Sequence, residues 1–336
     1  MAKLGNNSPP SPTKEVKKAA KPPSSEPQLM GQALNIPGSS IIEGSDEDGC
    51  ENLGMGVYGP PGVGKTILSM TASQFWPKEL PSPKPVTLHD TLHVAWDPDA
   101  GTGLKELGVI VPTINIKKLM RPLTKDEEEL KKRGGKVRPH VRSILEALTF
   151  VNREQLLFAE YANAKYGRSY IIQDTVSWLN GQLEKWYVHG PGCPESKGGN
   201  RNTRQGWILL SGAHELFISY NIQTPSNIIY LFHATAMVEN NETEEGRNQA
   251  LKNKAAGLSD IVPQITGRSK NTYNSGTSCT FWLTARLNAR GSYDRKLHTQ
   301  EIGGALVKNR WQHSLSAEEP ADLGALFRKI RAAYGK

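Results

Sequence analysis

Between positions 59 and 66 the chain reads Gly-Pro-Pro-Gly-Val-Gly-Lys-Thr, which satisfies the spacing G-x-x-x-x-G-K-[ST]. Gly62 and Gly64 lack a Cβ, so successive backbone N–H groups can turn inward around phosphate oxygens. The N-terminus of a helix following the turn adds partial positive charge. Lys65 has the reach for β- and γ-phosphates, and the Thr66 hydroxyl suits Mg²⁺. Gly59, Pro60, Pro61, Gly62, Val63, Gly64, Lys65 and Thr66 are therefore the expected binding set for ATP. Thr66 doubles as a metal ligand and Lys65 as a catalytic cation. The bland alternative is an ordinary Gly-Pro turn, and the Lys-Thr pair between an apolar strand and a helix speaks against it.

Such a site also needs a carboxylate from a neighbouring strand to hold the magnesium shell. Asp174, ending SYIIQD, is the best placed, although Gln173 stands where such strands keep an apolar residue. The competing reading is a surface strand that happens to end in Asp. A group that polarises the attacking water is the third requirement. Asp97 and Asp99 lie two residues apart in DPDAGTGLKEL, and on an extended segment both would project to one side. The same residues also make a good turn. His233 interrupts the apolar run IIYLFHATA near the C-terminal part of its strand. Open α/β sheets bind ligands at that end, so His233 is weighed as a γ-phosphate sensor against a satisfied core histidine.

The elements that must position these groups alternate along the chain. Strands are expected at 54–59, 92–97, 169–175, 227–238, 279–288 and 304–309, and helices at 65–76, 156–167, 206–221 and 321–335. That alternation predicts an α/β fold with a mainly parallel central sheet flanked by helices. Residues 1–52 form a separate stretch, rich in Pro, Ser and Lys and then acidic, without an aromatic residue. It is expected to be a disordered tail, leaving 53–336 as one domain. A charged insertion at about 117–142 carries ten basic and four acidic residues. The three cysteines, Cys50, Cys193 and Cys279, have no CxxC spacing, which opposes a disulfide framework or zinc site and fits a reducing cytosol. No apolar run approaches the roughly 18 residues of a membrane span. MAKLGNNSPPSPTK lacks the apolar segment of a secretory signal. A cytoplasmic location without a membrane partner is expected.

Over about 53 to 315 the order of motifs resembles the RecA-like P-loop ATPase core, in the reduced form of bacteriophage single-strand annealing and recombination ATPases. Three stretches carry the likeness beyond GPPGVGKT. DPDAGTGLKEL is similar to the acid-x-acid-x-Gly-Thr pattern that implies a catalytic role for Asp99, where the family commonly has glutamate. YIIQDTVSWL resembles the Asp-[ST]-x-[ST] ending of the magnesium strand, and His233 falls where these proteins carry a polar sensor. CTFWLTARLNARG followed by ALVKNRWQ resembles the late strand pair whose basic residues reach the ATP site of an adjacent subunit. The resemblance thus implies that Lys308 and Arg310 are trans-acting catalytic cations. It also implies a homo-oligomer, ring or filament, with ATP at subunit interfaces in the cytoplasm of a bacterial host. Read without it, ALVKNR is an exposed basic turn.

Single-stranded DNA is the implied partner, with other replication or recombination proteins as further candidates. Two loops qualify as DNA contacts. Residues 189–206 carry Lys197, Arg201 and Arg204, and residues 252–276 carry Lys252, Lys254, Arg268, Lys270 and Tyr273. Cations hold phosphates without reading sequence, and Tyr273 is expected to stack on a base. Solvated surface loops are the alternative. The net charge of +8 permits a polyanionic partner without requiring one. The leading expectation is an Mg-ATP-dependent, single-strand-binding ATPase that promotes annealing or recombination. A replicative helicase-like motor, a P-loop small-molecule kinase and a nucleotide-binding scaffold with little turnover are the alternatives.

Overall fold

The computed structural model describes residues 52–196, 199–236, 261–265, 269–289, 291–302, 305 and 307–334. The expected tail lies outside the described residues, except for Asn52. From its start the described chain runs through β1 (Gly54–Gly59), α1 (Lys65–Met70), β2 (Val86–Thr87), β3 (Thr91–Ala95), β4 (Val109–Ile110) and β5 (Thr113–Asn115). Next come α2 (Ile116–Met120), α3 (Lys125–Lys132), α4 (Ile144–Tyr166), β6 (Tyr170–Asp174), α5 (Val176–Tyr187) and α6 (Thr203–Gln223). The last third holds β7 (Asn227–Ala236), β8 (Ile261–Pro263), α7 (Ser269–Gly276), β9 (Cys279–Leu287), β10 (Tyr293–His298), β11 (Lys308–Asn309), β12 (Glu318–Pro320) and α8 (Leu323–Tyr334).

Among the described residues the main sheet has ten strands, in the order β12-β10-β9-β1-β7-β6-β3-β5, with β11 on β9 and β8 on β7. From β9 through β1, β7, β6 and β3 to β5 all neighbours are parallel. The antiparallel pairs involve β8, β10, β11 and β12. This is the expected α/β architecture, a mainly parallel central sheet flanked by helices. The β10 hairpin arm is an addition that the sequence pattern did not reveal. β7 lies between β1 and β6, so the strand carrying His233 separates the glycine turn from Asp174.

The central strands are apolar because both faces are covered. Along β1, Met55 and Val57 pack with Leu68, Phe327 and Ile330 of α1 and α8. Tyr58 faces the other way, into a core with Val151 of α4, Leu179 of α5 and Phe217 of α6. Burying each such side chain contributes roughly 1.5–3 kcal/mol. The sequence also sets the helix ends. In α4, Ser143 caps the start by accepting from Glu146 N at 3.2 Å, and Gly167 closes it at φ 79°.

Two expectations change in extent. The helix predicted over 65–76 stops at Met70. Buried Asp90 takes Ser73 Oγ as one donor and the Gln74 N–H, at 3.0 Å, as another. Those bonds hold the following residues in a turn, since local side-chain bonds compete with helix. In the 117–142 insertion, α2 and the capped α3 are followed by a chain that returns through Arg138. Its Nε donates to Glu127 at 2.8 Å, and its other nitrogens donate to Lys118 O, Arg121 O and Pro122 O at 2.7–2.9 Å.

Candidate nucleotide site

The glycine turn is built as its composition requires. Gly62 and Gly64 have φ of 74° and 96°, the left-handed region that a side chain disfavours. β1 delivers Gly59, and Gly64 is the N-cap of α1. Lys65 opens the helix and folds back over the turn, its Nζ donating to Gly59 O at 2.9 Å and Pro60 O at 2.7 Å. Burial lowers the Lys65 ammonium to about 8, against the opposing pull of Asp174. Thr66 Oγ1 donates to Asp174 Oδ2 at 2.7 Å. His93 Nε2 lies 3.1 Å from the same oxygen, and both residues are buried, at 1% and 2% exposure. One carboxylate thus ties the turn, through Thr66, to β3, through His93.

A cavity of about 410 Å³ opens over this arrangement, lined among others by Gly62, Gly64, Lys65, Thr66, Asp97, Asp99, Asp174, Thr175 and His233. Lys65, Thr66, Asp97, Asp99, Asp174 and His233, all weighed for catalysis or metal binding, therefore share one cavity. His233 Nε2 lies 3.9 Å from Asp97 Oδ2. Burial and then Lys65 lower the His233 pKa below the usual histidine value, while Asp97 and Asp174 oppose that shift. Of the two conformations weighed for Asp97–Asp99, extended and turn, the turn is the one formed. Ala100 N donates to Asp97 O at 3.1 Å and Asp99 N to Asp97 Oδ1 at 3.0 Å, so the segment is a turn. Both acids nevertheless line the cavity, and Asp97 is the one beside His233.

The donor set fits Mg²⁺, a hard cation that takes one or two protein oxygens and completes its shell with phosphate and water. Thr66 and Asp174 would supply those oxygens. No group of three or more His, Cys, Asp or Glu able to hold a metal occurs among the described residues, so an all-protein metal cage is not what this site offers. Thr175 Oγ1 and His233 Nδ1 are buried without a hydrogen-bond partner. Thr175 is 5% exposed and on the cavity wall, and buried polar atoms left alone cost free energy unless something meets them.

Gln173 also finds its reason here. It is fully buried, accepts from Trp96 Nε1 at 2.8 Å, and donates to Gln155 and Asn221 at 3.0 Å each. Its role is to join β6 to α4 and α6. Two residues of the site were missed by sequence reasoning. His93 sits in an apolar strand with no motif around it, and Arg295 reaches the glycine turn from β10, a strand that the sequence reading did not include.

The remaining candidates fall elsewhere. β11 pairs with Thr280 and Cys279, the first residues of β9, and β9 runs parallel to β1. Lys308 and Arg310 thus lie at the opposite end of the sheet from the glycine turn of their own chain. Lys308 Nζ donates to Thr277 O, and burial, followed by Arg310, lowers its pKa. Arg310 is exposed and borders a cavity of about 160 Å³ with Asn221, Ile222 and Thr277. Tyr273 requires a correction. It is 3% exposed, its hydroxyl lies 3.0 Å from His214 Nδ1, and its ring packs on Tyr230 and Phe232. It is a core residue and cannot stack on a base. Arg201 and Arg204 are exposed, and the Arg201 guanidinium donates to His189 O. Lys270 lies in α7. Lys197, Lys252, Lys254 and Arg268 lie outside the described residues.

A glycine turn leading into a helix, a buried carboxylate on the Thr66 hydroxyl and a parallel sheet carrying both define a P-loop ATPase-like protein. The chain matches the family model described as an AAA domain over residues 51–311 and belongs to that family. No curated protein matches it. Similar solved structures include a KaiC-like protein from the hyperthermophilic archaeon Pyrococcus horikoshii OT3, at 13% identity, covering 80% of this chain and 85% of that one, with a TM-score of 0.36. An ATPase from the type III secretion system of pathogenic bacteria is 11% identical, covering 69% and 51%, with a TM-score of 0.34. The flagellar accessory protein FlaH from Methanocaldococcus jannaschii is 9% identical, covering 80% and 86%, with a TM-score of 0.33. No helix among the described residues is long and apolar enough to cross a membrane.

Proposed function

We propose that this protein is a Mg-ATP-hydrolysing, oligomeric ATPase that binds single-stranded DNA and promotes annealing or recombination. The observation that carries the ATPase reading is the cavity in which Lys65, Thr66, Asp174, Asp97, Asp99 and His233 converge. Thr66 and Asp174 would hold magnesium, which would supply positive charge to offset that of the transferring phosphoryl group. The chain's own residues do the rest. The backbone of the glycine turn holds the phosphates, Lys65 swings from Gly59 O and Pro60 O to a phosphate oxygen, and Asp97 or Asp99 orients the attacking water. His233, half-buried beside Asp97, senses the terminal phosphate from β7.

Support for the shared site comes from the placement of Arg310, exposed and remote from its own glycine turn. A cation there is too far from its own phosphate turn to act on it and is exposed to a neighbouring copy. Support for a nucleic-acid partner is the net charge of +8 and the exposed Arg201 and Arg204. The kinase alternative draws on a cavity of about 980 Å³ beside the nucleotide cavity, lined in part by Lys118, Arg138 and Phe150. Arg138, however, is committed to Glu127 and three carbonyls of its own insertion, which removes it as a phosphate-clamping arginine.

Mixing two inactive variants tests the reading. Lys65→Ala spoils its own phosphate site and Arg310→Ala spoils the site of its neighbour, so mixed oligomers should regain part of the single-strand-stimulated turnover. A mixture as inactive as its components, each shown to co-assemble, would count against the shared site.

A further inference from the structure

Arg295 belongs to no sequence motif. It lies on β10 opposite Ala285 of β9, and its Nε donates to Val63 O at 2.9 Å across 232 positions of sequence. Its guanidinium packs so closely on the turn that a Cβ at Gly64 would sit 2.6 Å from Nε. Gly64 lines the nucleotide cavity and Arg295 does not, so the guanidinium stands behind the turn.

Val63 O and the Gly64 N–H belong to one peptide unit. A cation that draws electron density from the carbonyl makes the N–H of that unit a stronger donor, because linked hydrogen bonds polarise one another, and this bond is partly buried. A charge-assisted bond is also the stronger kind for fixing the turn. We propose that Arg295 is a positioning residue that strengthens nucleotide binding through the Val63–Gly64 peptide, fixing the turn and passing part of its charge to a phosphate it never touches. The proposal rests on the reading of the cavity as the nucleotide site.

Equilibrium titration of Mg-ATP and Mg-ADP into the full chain tests it, on wild type, Arg295→Met, Arg295→Gln and Arg295→Lys, with thermal melts of each free protein. Removing a charged hydrogen bond should weaken both nucleotides about tenfold in Arg295→Met, because the backbone of the turn serves phosphates that ATP and ADP share. Arg295→Lys should stay within about threefold of wild type, since it keeps a charged donor. Arg295→Gln, a neutral donor, should fall between them, and it supplies the comparison if the melt shows Arg295→Met to be unfolded. A loss confined to ATP would assign Arg295 a direct γ-phosphate contact and overturn the proposal. So would wild-type affinity in Arg295→Met and Arg295→Gln, or an Arg295→Lys as weak as Arg295→Met. Lys65→Ala, run alongside, separates the two readings. If it weakens binding while the Arg295 variants do not, only the role of Arg295 fails. If wild type binds neither nucleotide, both readings fail.

Discussion

The nucleotide end of the sheet and the regions expected to meet DNA or a neighbouring subunit contrast in how their residues are held. At the nucleotide end, Lys65, Thr66, His93, Asp97 and Asp174 come from four segments and are held by hydrogen bonds of 2.7–3.2 Å, those of their side chains buried or half-buried. In the other regions, Tyr273 is sealed in the core, Lys308 is tied to a backbone carbonyl, and Arg201, Arg204 and Arg310 stand at the surface. Chemistry on a phosphoryl group needs fixed geometry, and fixed geometry requires buried partners. Holding a polyanion needs only cations with reach. The difference teaches that burial, which supports a catalytic assignment, argues against a surface-contact assignment such as that of Tyr273.

The largest effects should come from breaking the nucleotide end. Lys65→Ala should lower hydrolysis by about 10³-fold, since it removes a cation aimed at the developing phosphoryl charge. Asp174→Asn should do comparable harm and should also raise the Mg²⁺ concentration needed for half-maximal rate. Phosphate release measured against Mg²⁺ checks both. Next in size is core damage that spares neither region. Phe327→Ala, which empties the α8 side of the sheet beside Tyr170, should cost about 3–5 kcal/mol of stability in a denaturant titration.

The pH dependence sharpens the same comparison. Phosphate binds the charged form of Lys65, whose pKa in the free protein is lowered to about 8. ATP affinity should therefore be flat below that pH and weaken above it, by at most about tenfold per pH unit, as binding must take up a proton. Lys65→Arg keeps its charge throughout, so its affinity should show no such break near pH 8. Titrations between pH 7 and 9.5 decide this.

The smallest effects belong to the other regions. Tyr273→Phe should cost about 1 kcal/mol of stability, the worth of its bond to His214, and leave single-strand affinity unchanged. A selective loss of DNA binding would restore Tyr273 as a contact. Arg201→Ala and Arg204→Ala should each weaken single-strand binding alike across sequences and reduce the salt slope by about 0.7. An unchanged slope would remove them from the DNA surface.

How much of this was legible follows from the range of the forces involved. The glycine turn could be read because its requirements are local: positive φ at Gly62 and Gly64, a strand before and a helix after. The parallel core could be read because strands buried on both faces leave continuous apolar runs. His93, Arg295 and the bonding of Gln173 could not, because each depends on a partner 18 to 232 residues away. The early end of α1 belongs with them, since Asp90, which holds Ser73 and Gln74, lies outside any local helix signal. Tyr273 was misread for the opposite reason. An aromatic among cations looks like a stacking platform until the helix that carries it is seen to pack on α6.

Phosphate release from Mg-ATP, with and without a single-stranded oligonucleotide, tests the central claim most directly when wild type and Lys65→Ala are run together. Mg²⁺-dependent turnover that rises with single strands and is lost in Lys65→Ala is the expected result. Turnover that survives Lys65→Ala at the wild-type rate would contradict it.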